Sequence, residues 1–214
     1  MVTGIVLFGP PGAGKGTQSA LLKSKLSMSH ISTGDLFREN MKKKTPLGIE
    51  AQKYLDDGKL VPDSITIGMV DDVLKKLEGR NFVLDGFPRT AQQADALESL
   101  VKKNGFDLKR AVFLDVPKTM LMGRLTGRRI CEKCGESYHI ESKAPKQSGV
   151  CDKCGGKLIQ RPDDREEVIA TRLQAYENST KPLRDYYRQK GKYIEVNGVG
   201  ETEDIFGRIE KAIS

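Results

Sequence analysis

A glycine-rich segment near the amino terminus has the residue types and spacing of a phosphate-binding loop. Residues 9–17 read Gly-Pro-Pro-Gly-Ala-Gly-Lys-Gly-Thr, which fits G-x-x-x-x-G-K with Gly16 placed before Thr17. Glycines let backbone N–H groups turn toward one centre and approach phosphate oxygens closely. Lys15 supplies a cation for the β- and γ-phosphates, and the Thr17 hydroxyl can reach Mg²⁺ or a phosphate oxygen. The segment therefore predicts a nucleoside triphosphate site; the alternative is a glycine-rich turn with a solvated lysine.

Four cysteines form a second group that could do chemistry. Cys131-x2-Cys134 and Cys151-x2-Cys154 have 16 residues between the two pairs. Four thiolates on two such turns can close tetrahedrally on one Zn²⁺, and a closed set leaves no position for water. We therefore predict a structural zinc ion, with disulfides or free thiols as the alternative.

Two further segments carry side chains suited to phosphate and magnesium. Asp85 follows the apolar run Phe82–Leu84, where open α/β sheets place acidic ligands for Mg²⁺ and its waters. Arg38 follows Ser-Thr-Gly-Asp at 32–35, and its planar guanidinium can make paired charge-assisted bonds to phosphate. Each segment also has a simpler interpretation, the first as a turn after a strand and the second as a helix N-cap.

Alternating strands and helices must position these groups. Apolar and β-branched runs predict strands at Thr3–Phe8, Phe82–Leu84, Ala111–Val116 and Tyr193–Val196. Helical patterns lie between them, ending at about Leu26 or running through Ile65, Met69, Val73 and Leu77, and through Ala94, Leu97 and Val101. This alternation predicts a parallel sheet covered by helices on both faces.

Two stretches do not fit the alternation. Residues 32–61 have no strong strand signal, and residues 128–161, here called the cysteine stretch, hold all four cysteines but only scattered aliphatic side chains. A stretch that cannot bury much apolar surface needs another source of stability, such as a metal.

Composition excludes several classes of protein. Of the 214 residues, 37% are hydrophobic and 30% are charged, which is too apolar for a disordered chain. No apolar run approaches the ~20 residues of a membrane span, and the run Ile5–Phe8 lacks the flanks of a secretory signal. We therefore expect a cytoplasmic protein. A net charge of +7 does not by itself separate nucleic acid, a membrane surface and a small polyanion as partners.

Taken together, four motifs resemble the adenylate kinase family. They are GPPGAGKGTQ at 9–18, ISTGDLFR at 31–38, DGFPRT at 85–90 and GRR at 127–129, in the family's order and over essentially the whole chain. The GKGT variant is also found in that family. The resemblance implies the reaction of ATP with AMP to give two ADP, which maintains the adenine nucleotide balance. It also implies Mg²⁺ with ATP, direct in-line transfer without a side-chain general base, and a monomer.

The resemblance implies a doubly wound parallel-sheet P-loop NTPase core with a nucleotide-binding helical insert and a zinc-binding lid. The core would comprise residues 1–31, 62–126 and 163–214, the insert for the nucleoside monophosphate residues 32–61, and the lid residues 127–162. The segment from Arg128 to Arg161, counting both, holds eight basic and four acidic residues. With four thiolates and one Zn²⁺ the charge is about +2, which suits a lid over ATP more than a nucleic-acid arm.

Site residues follow from the resemblance one position at a time. For ATP they are Gly12, Ala13, Gly14, Lys15, Gly16, Thr17, Arg128, Ser137, Tyr138 and Gly200. For AMP they are Thr33, Arg38, Lys59, Leu60, Val61, Gly86, Phe87, Pro88, Arg89, Gln93, Arg161 and Arg172. The catalytic set is Lys15, Arg89, Arg128, Arg161 and Arg172, and Asp85 would hold Mg²⁺ through water. Arg124 also matches a family arginine near the triphosphate.

Several of these assignments have structural alternatives. A single arginine is more often a surface ion-pair residue, and residues 59–61 can be a plain loop before Pro62. Tyr138 could stack on adenine or pack within the lid. Asp163 and Asp164 resemble the family's lid-hinge pair, but acidic residues also favour a helix start.

Two other functions stay open from the sequence. A zinc-containing, nucleic-acid-binding NTPase would suit the charge and the cysteines, although the chain lacks a long basic stripe and has no Trp. A kinase for UMP, CMP or another monophosphate is the alternative within the enzyme class. With a complete cysteine set, His30 and His139 are not required as ligands, and we interpret both as structural or exposed.

Overall fold

The computed structural model describes residues 2–77 and 79–214; Met1 and Glu78, which the predicted core ranges include, lie outside the described residues. The elements in chain order are β1 Val2–Phe8, α1 Lys15–Leu26, β2 Ser29–Ser32, α2 Thr33–Lys42, α3 Pro46–Leu55, α4 Asp63–Leu74, β3 Phe82–Asp85, α5 Ala91–Lys103, β4 Phe106–Asp115, α6 Lys118–Thr126, β5 Arg128–Cys131, β6 Ser137–His139, β7 Leu158–Ile159, α7 Glu166–Ala175, α8 Leu183–Gln189, β8 Tyr193–Asn197 and α9 Thr202–Ile213. A 3₁₀ turn at Pro162–Asp164 precedes α7, and a π-helical turn at Tyr176–Thr180 follows it.

The central sheet is parallel, with the strand order β2-β3-β1-β4-β8. Successive side chains of β1 enter opposite cores because side chains alternate across a strand. Val6 and Phe8 pack with apolar residues of α4, α5 and α8, whereas Ile5 and Leu7 pack with those of α1 and α9. The predicted doubly wound α/β fold is confirmed. Its topology brings the loops after β1 and β3 to the same edge of the sheet.

The strand predictions hold for β1, β3, β4 and β8 but miss β2. Residues 29–32 read Ser-His-Ile-Ser, with only Ile31 apolar and buried, and the strand exists because its backbone pairs with β3. β4 begins at Phe106 rather than Ala111, since its first residues pair with Val2 and Thr3 of β1. Backbone pairing between distant segments leaves little trace in local periodicity. Helix α4 ends at Leu74, so Leu77 lies beyond it.

Residues 32–61 contain two capped helices. The Ser32 hydroxyl accepts the backbone N–H of Asp35 at the start of α2, which confirms the N-cap interpretation. Thr45 caps α3 in the same way. A Cβ at Gly48 would lie 2.2 Å from the Asn40 backbone, so the two helices approach closely only because this residue is glycine. Phe37, Ala51 and Val61 form a small apolar core here.

The cysteine stretch forms an antiparallel sheet with the order β6-β5-β7. Its buried cluster consists of Cys131, Tyr138, Cys151 and Leu158. Cysteine side chains thus occupy much of a very small core, as expected where apolar content is low. In the part of the chain that the structure describes, no helix has the length and apolar character needed to traverse a bilayer.

Candidate functional site

The glycine-rich loop joins β1 to α1 and curls around the Lys15 side chain. Gly12 and Gly14 adopt φ values of 84° and 93°, which side chains rarely allow, and Gly14 is the N-cap of α1. The Lys15 ammonium donates to the carbonyl oxygens of Gly9 and Pro10, at 2.9 and 3.1 Å. The first residues of the loop are therefore tied to the lysine at its end by two hydrogen bonds. The first backbone N–H groups of α1 point out of the same turn, as an anion site requires.

Lys15 stands in a crowded cationic environment. Its pKa is lowered to about 8, first by burial and then by the charges of Arg89, Arg172 and Arg128, against the opposing effect of Asp85. These five side chains come from four separate segments of the chain. An anion entering here would offset the repulsion and raise the pKa of the lysine, which favours its charged form.

The loop after β3 is organised around one carbonyl oxygen. The Gly86 oxygen accepts bonds from Thr33 Oγ1 at 2.9 Å and from Arg89 Nε at 2.8 Å. A Cβ at Gly86 would lie 2.9 Å from both Thr33 Oγ1 and an Arg89 nitrogen, and its φ is 80°. Only glycine fits this position. Thr180 Oγ1 in turn donates to the Arg89 carbonyl oxygen at 3.0 Å.

Asp85 lies at the mouth of the glycine-rich loop. A Cβ on Gly16 would lie 3.5 Å from Asp85 Oδ2, so the carboxylate sits against the first turn of α1. His30 Nε2 is 3.7 Å from the same oxygen. A carboxylate beside a phosphate-binding turn fits a Mg²⁺ ion held through water.

A fully buried carboxylate holds two of the predicted catalytic arginines. Asp164 accepts from Arg128 through Nε at 2.8 Å and Nη2 at 2.5 Å, and from Arg172 Nη1 at 2.9 Å. Arg172 also lies 3.1 Å from Asp163 Oδ2. Asp163 and Asp164 therefore do more than favour a helix start: they fix the orientation of the guanidinium groups.

Arg161 and Arg38 extend the group of positively charged side chains toward the helices of residues 32–61. The pKa of Arg161 is lowered by burial and then by the charges of Arg38 and Arg128. Within residues 2–77 and 79–214, its buried Nε has no hydrogen-bond partner. Arg38 pairs with Asp35 at 2.5 Å. An anion between these two arginines would satisfy groups that the protein itself leaves incompletely paired.

The remaining residues predicted for AMP have diverse environments. Gln93 is buried, donates to Asp63 Oδ1 at 2.7 Å and accepts the Arg89 backbone N–H at 2.8 Å. A contact with adenine would require this amide to exchange a partner. Phe87, Pro88 and Val61 are buried, Leu60 is partly buried, and Lys59 is exposed and pairs with Asp57.

Residues predicted for ATP lie near the ends of β1, β4 and β8. Arg124 Nη2 donates to the Gly198 carbonyl at 3.2 Å, which ties α6 to the loop that contains Gly200. Gly200 has a φ of 122° and is exposed. Thr17 is also exposed, on the first turn of α1, and Ser137 is partly buried on β6.

The cysteine sulfurs converge to within 4.8 Å of one another, and all four thiols are free. The separations of 3.4 Å for Cys131–Cys154 and 3.6 Å for Cys134–Cys151 exceed a disulfide bond of about 2.05 Å. They are near the ~3.8 Å edge of a tetrahedron with Zn–S bonds of ~2.3 Å. This donor set fits one thiophilic metal ion, and these sulfur separations are too long for a disulfide.

Both pairs of cysteines use the same turn. In Cys131–Gly135 and Cys151–Gly155 the glycine N–H donates to the first cysteine's carbonyl at 2.9 Å, with glycine φ values of 75° and 67°. This shared turn directs each pair of sulfurs to one side. A hydrogen bond from Tyr138 lowers the pKa of Cys151 to about 6, which favours the thiolate that a metal needs.

Tyr138 packs inside the cysteine stretch. Its side chain is 5% exposed, and its hydroxyl contacts Cys151 Sγ and the Asp152 N–H. This enclosed position favours the packing role of the ring. The contact of Tyr138 with ATP stays a prediction.

Comparison with known proteins decides the family. A model of the adenylate kinase family matches residues 7–192. An adenylate kinase of Clostridium botulinum (strain Loch Maree / Type A3) is 50% identical over 210 residues, which cover 98% of this chain and 97% of that protein. The chain belongs to the adenylate kinase family. An adenylate kinase of Syntrophobacter fumaroxidans is 49% identical over 206 residues, covering 96% and 97% of the two chains, and one of Clostridium tetani is 48% identical over 210 residues, covering 98% and 97%.

Membership of the adenylate kinase family confirms the resemblance drawn from the four motifs and the predicted enzyme class, a nucleoside monophosphate kinase. Some supporting residues were not singled out by the motifs. Asp63 and Thr90 bond to each other at 2.7 Å, and Asp63 holds Gln93. The position of Asp63 after Pro62 indicates a helix start, but no local signal predicts its contact with a residue 30 positions away.

Proposed function

We propose that the protein transfers the γ-phosphoryl group of Mg²⁺·ATP to AMP and so forms two ADP, which balances the adenine nucleotides of the cell. Close similarity to adenylate kinases over nearly the full chain supports this reaction. The single structural observation that carries the proposal is the convergence of Arg89, Arg128 and Arg172 on Lys15, between the glycine-rich loop and the loop after β3. Fixed cations at that junction suit a phosphoryl group that passes between two nucleotides.

The donor would bind along the glycine-rich loop. Backbone N–H groups of residues 12–17 and the Lys15 ammonium would hold the phosphates, which must displace that ammonium from the Gly9 and Pro10 carbonyls. Arg128, Arg161 and Arg172 would stabilise charge that spreads over the equatorial oxygens in the transition state. Ser137 and Gly200 would contact the nucleotide through their backbone.

The acceptor would bind between the 32–61 helices and the loop after β3. Arg38 and Arg89 would hold its phosphate, beside Thr33 and Gly86. This phosphate has a second pKa near 6, so it is mostly ionised at neutral pH and its oxygen is already a nucleophile. The protein's task is therefore alignment, charge compensation and exclusion of water, with no side-chain base.

Asp85 would hold Mg²⁺ through water molecules at the mouth of the loop. When bound, Mg²⁺ would offset the negative charge of the triphosphate. The carboxylate's place against the first turn of α1 supports this role.

We assign the core to residues 1–31, 62–126 and 163–214, the acceptor insert to 32–61 and the lid to 127–162. The separate small cores of the insert and the lid support these boundaries. Closure of both over the nucleotides would exclude water, which otherwise accepts the phosphoryl group. We further propose that the protein acts as a cytoplasmic monomer and that the lid metal is zinc, held by Cys131, Cys134, Cys151 and Cys154.

A coupled assay of ADP formation tests the reaction. AMP, UMP, CMP and GMP are offered in turn with Mg²⁺·ATP, and we expect turnover with AMP to exceed that with the other three. Lys15→Ala should abolish turnover while its far-UV circular dichroism stays native. The proposal would be overturned if ATP and AMP formed no ADP. If UMP or CMP turned over faster than AMP, that nucleotide would be the acceptor in place of AMP.

A further inference from the structure

The inference concerns Tyr138, and it rests on the proposed role of the four cysteines as metal ligands. Tyr138 lies on β6, between Ser137 and His139, and its hydroxyl reaches into the cysteine cluster. The phenolic oxygen accepts the Asp152 backbone N–H at 2.9 Å and lies 3.5 Å from Cys151 Sγ.

The direction of the second hydrogen bond follows from the state of Cys151 as a metal ligand: a thiolate sulfur has no proton, so it can only accept. A phenol has one proton, and a backbone N–H can only donate. Since the oxygen accepts from Asp152, its proton is free to point at Cys151 Sγ, which is within hydrogen-bond distance for sulfur. The ring is 5% exposed, so bulk water does not compete for this bond.

We propose that Tyr138 is a positioning residue of the metal centre: its hydroxyl donates to the Cys151 thiolate and holds that ligand in place for a thiophilic divalent cation. Bonds from outer groups orient metal ligands and compensate their charge, and their loss typically lowers metal affinity 10–100-fold. A closed set of four thiolates around a divalent ion keeps a net charge of about −2, so a buried donor toward one sulfur is favourable.

The same residue connects the metal to the other face of the lid sheet. β5 and β6 are antiparallel, with Arg128 opposite His139 and Arg129 opposite Tyr138. Because side chains alternate, Tyr138 and Cys131 share the metal-facing side, whereas Arg128 and Ser137 lie on the opposite side. Fixing Tyr138 to Cys151 therefore also fixes the rotation of the strand pair that presents Arg128.

The test compares Tyr138→Phe with Tyr186→Phe in the full-length, metal-loaded protein. The control residue lies on α8, outside the cysteine stretch. Its substitution also removes a hydroxyl, one that donates to Asp95 Oδ1 of α5 at 2.8 Å. Zn²⁺ affinity is measured by competition with a chromophoric chelator, and Co²⁺ substitution reports thiolate coordination through its charge-transfer absorption. We expect Tyr138→Phe to bind Zn²⁺ about 10–100-fold more weakly, and Tyr186→Phe to match the wild type.

A second readout separates metal positioning from ring packing. Phenylalanine keeps the apolar contacts of the ring, so excess Zn²⁺ should restore the thermal stability of Tyr138→Phe, because a weakened site refills at higher metal concentration. Unchanged Zn²⁺ affinity in Tyr138→Phe, or a stability loss that excess Zn²⁺ does not reverse, would overturn the inference. A wild-type protein that binds neither Zn²⁺ nor Co²⁺ would instead reject the proposed metal site itself.

Discussion

Replacing Asp164 by asparagine removes the charge that joins Arg128 and Arg172 and keeps the shape of the side chain. The carboxylate is fully buried and receives three hydrogen bonds from the two guanidinium groups. In the variant, an amide oxygen can accept only part of this set, and its N–H₂ group would face an arginine donor. We therefore expect Asp164→Asn to destabilise the nucleotide-free protein.

The magnitude follows from the burial of the three partners. Breaking a fully buried ion pair costs about 3–5 kcal/mol. Here the Arg128 and Arg172 side chains are 22% and 19% exposed, so water can solvate part of the guanidinium charge that loses its partner. We expect a loss of about 2–3 kcal/mol in the free energy of unfolding. For a chain of this length that is a fall of roughly 4–12 °C in Tm.

Thermal and urea unfolding, followed by circular dichroism without nucleotide, measure this loss. Asp163→Asn is the matched control, because the neighbouring carboxylate is 22% exposed and contacts only Arg172 among the two arginines. It should cost about 1 kcal/mol or less. Equal stability losses in the two variants, or no loss in Asp164→Asn, would refute the view that this buried carboxylate organises the arginines.

Three further predictions address the glycine-rich loop, Gly127 at the start of the proposed lid, and the metal. The pKa of Lys15 is lowered to about 8, and bound ATP would raise it, so ATP affinity should be full below pH 8 and fall above it. The measurement is the KM for ATP, which should rise as the pH passes 8. A KM that stays constant from pH 7 to 9.5 would contradict this. A Cβ at Gly127 would lie 2.3 Å from His139 Nε2, so Gly127→Ala should cost about 1–3 kcal/mol of unfolding free energy. A Cβ at Gly123 would meet no other part of the described chain within 4 Å beyond its own helix, so Gly123→Ala should cost nothing; equal denaturation midpoints would count against the clash. Metal removal by a chelator should lower Tm and expose four titratable thiols, and an unchanged melting curve of protein shown to be metal-free would reject the stabilising metal.

The local motifs were readable because short-range geometry determines them. A turn that must present backbone N–H groups needs glycines at fixed positions, so residues 9–17 indicated phosphate binding before any fold was known. Two Cys-x2-Cys-Gly turns specify their own backbone, and only their meeting depended on the fold. The strands β1, β3 and β4 were readable for a similar reason, since buried parallel strands are continuous apolar runs. The edge strand β8, in which only Val196 is buried, was readable from its aromatic and β-branched residues.

Other features of the fold and the site depend on contacts between distant residues, which the local sequence pattern does not indicate. β2 is a strand because it pairs with β3, although its sequence is largely polar. Gln93 is predicted to contact a base, and no local pattern indicates that its amide also bonds to Asp63 and to the Arg89 backbone. Tyr138 had two interpretations, and its burial against Cys151, which favours packing, could not be read from its neighbours in the sequence.

The sequence by itself determined which chemical groups this chain has and which local turns present some of them. These are a glycine-rich phosphate-binding loop, four cysteines on two turns, and several arginines. Only the tertiary structure decided how those arginines are oriented, since Asp164 meets Arg128 across 36 positions of the chain. Turn geometry depends on neighbouring residues, whereas the pairing of buried charges depends on which distant segments the sheet brings to the same edge.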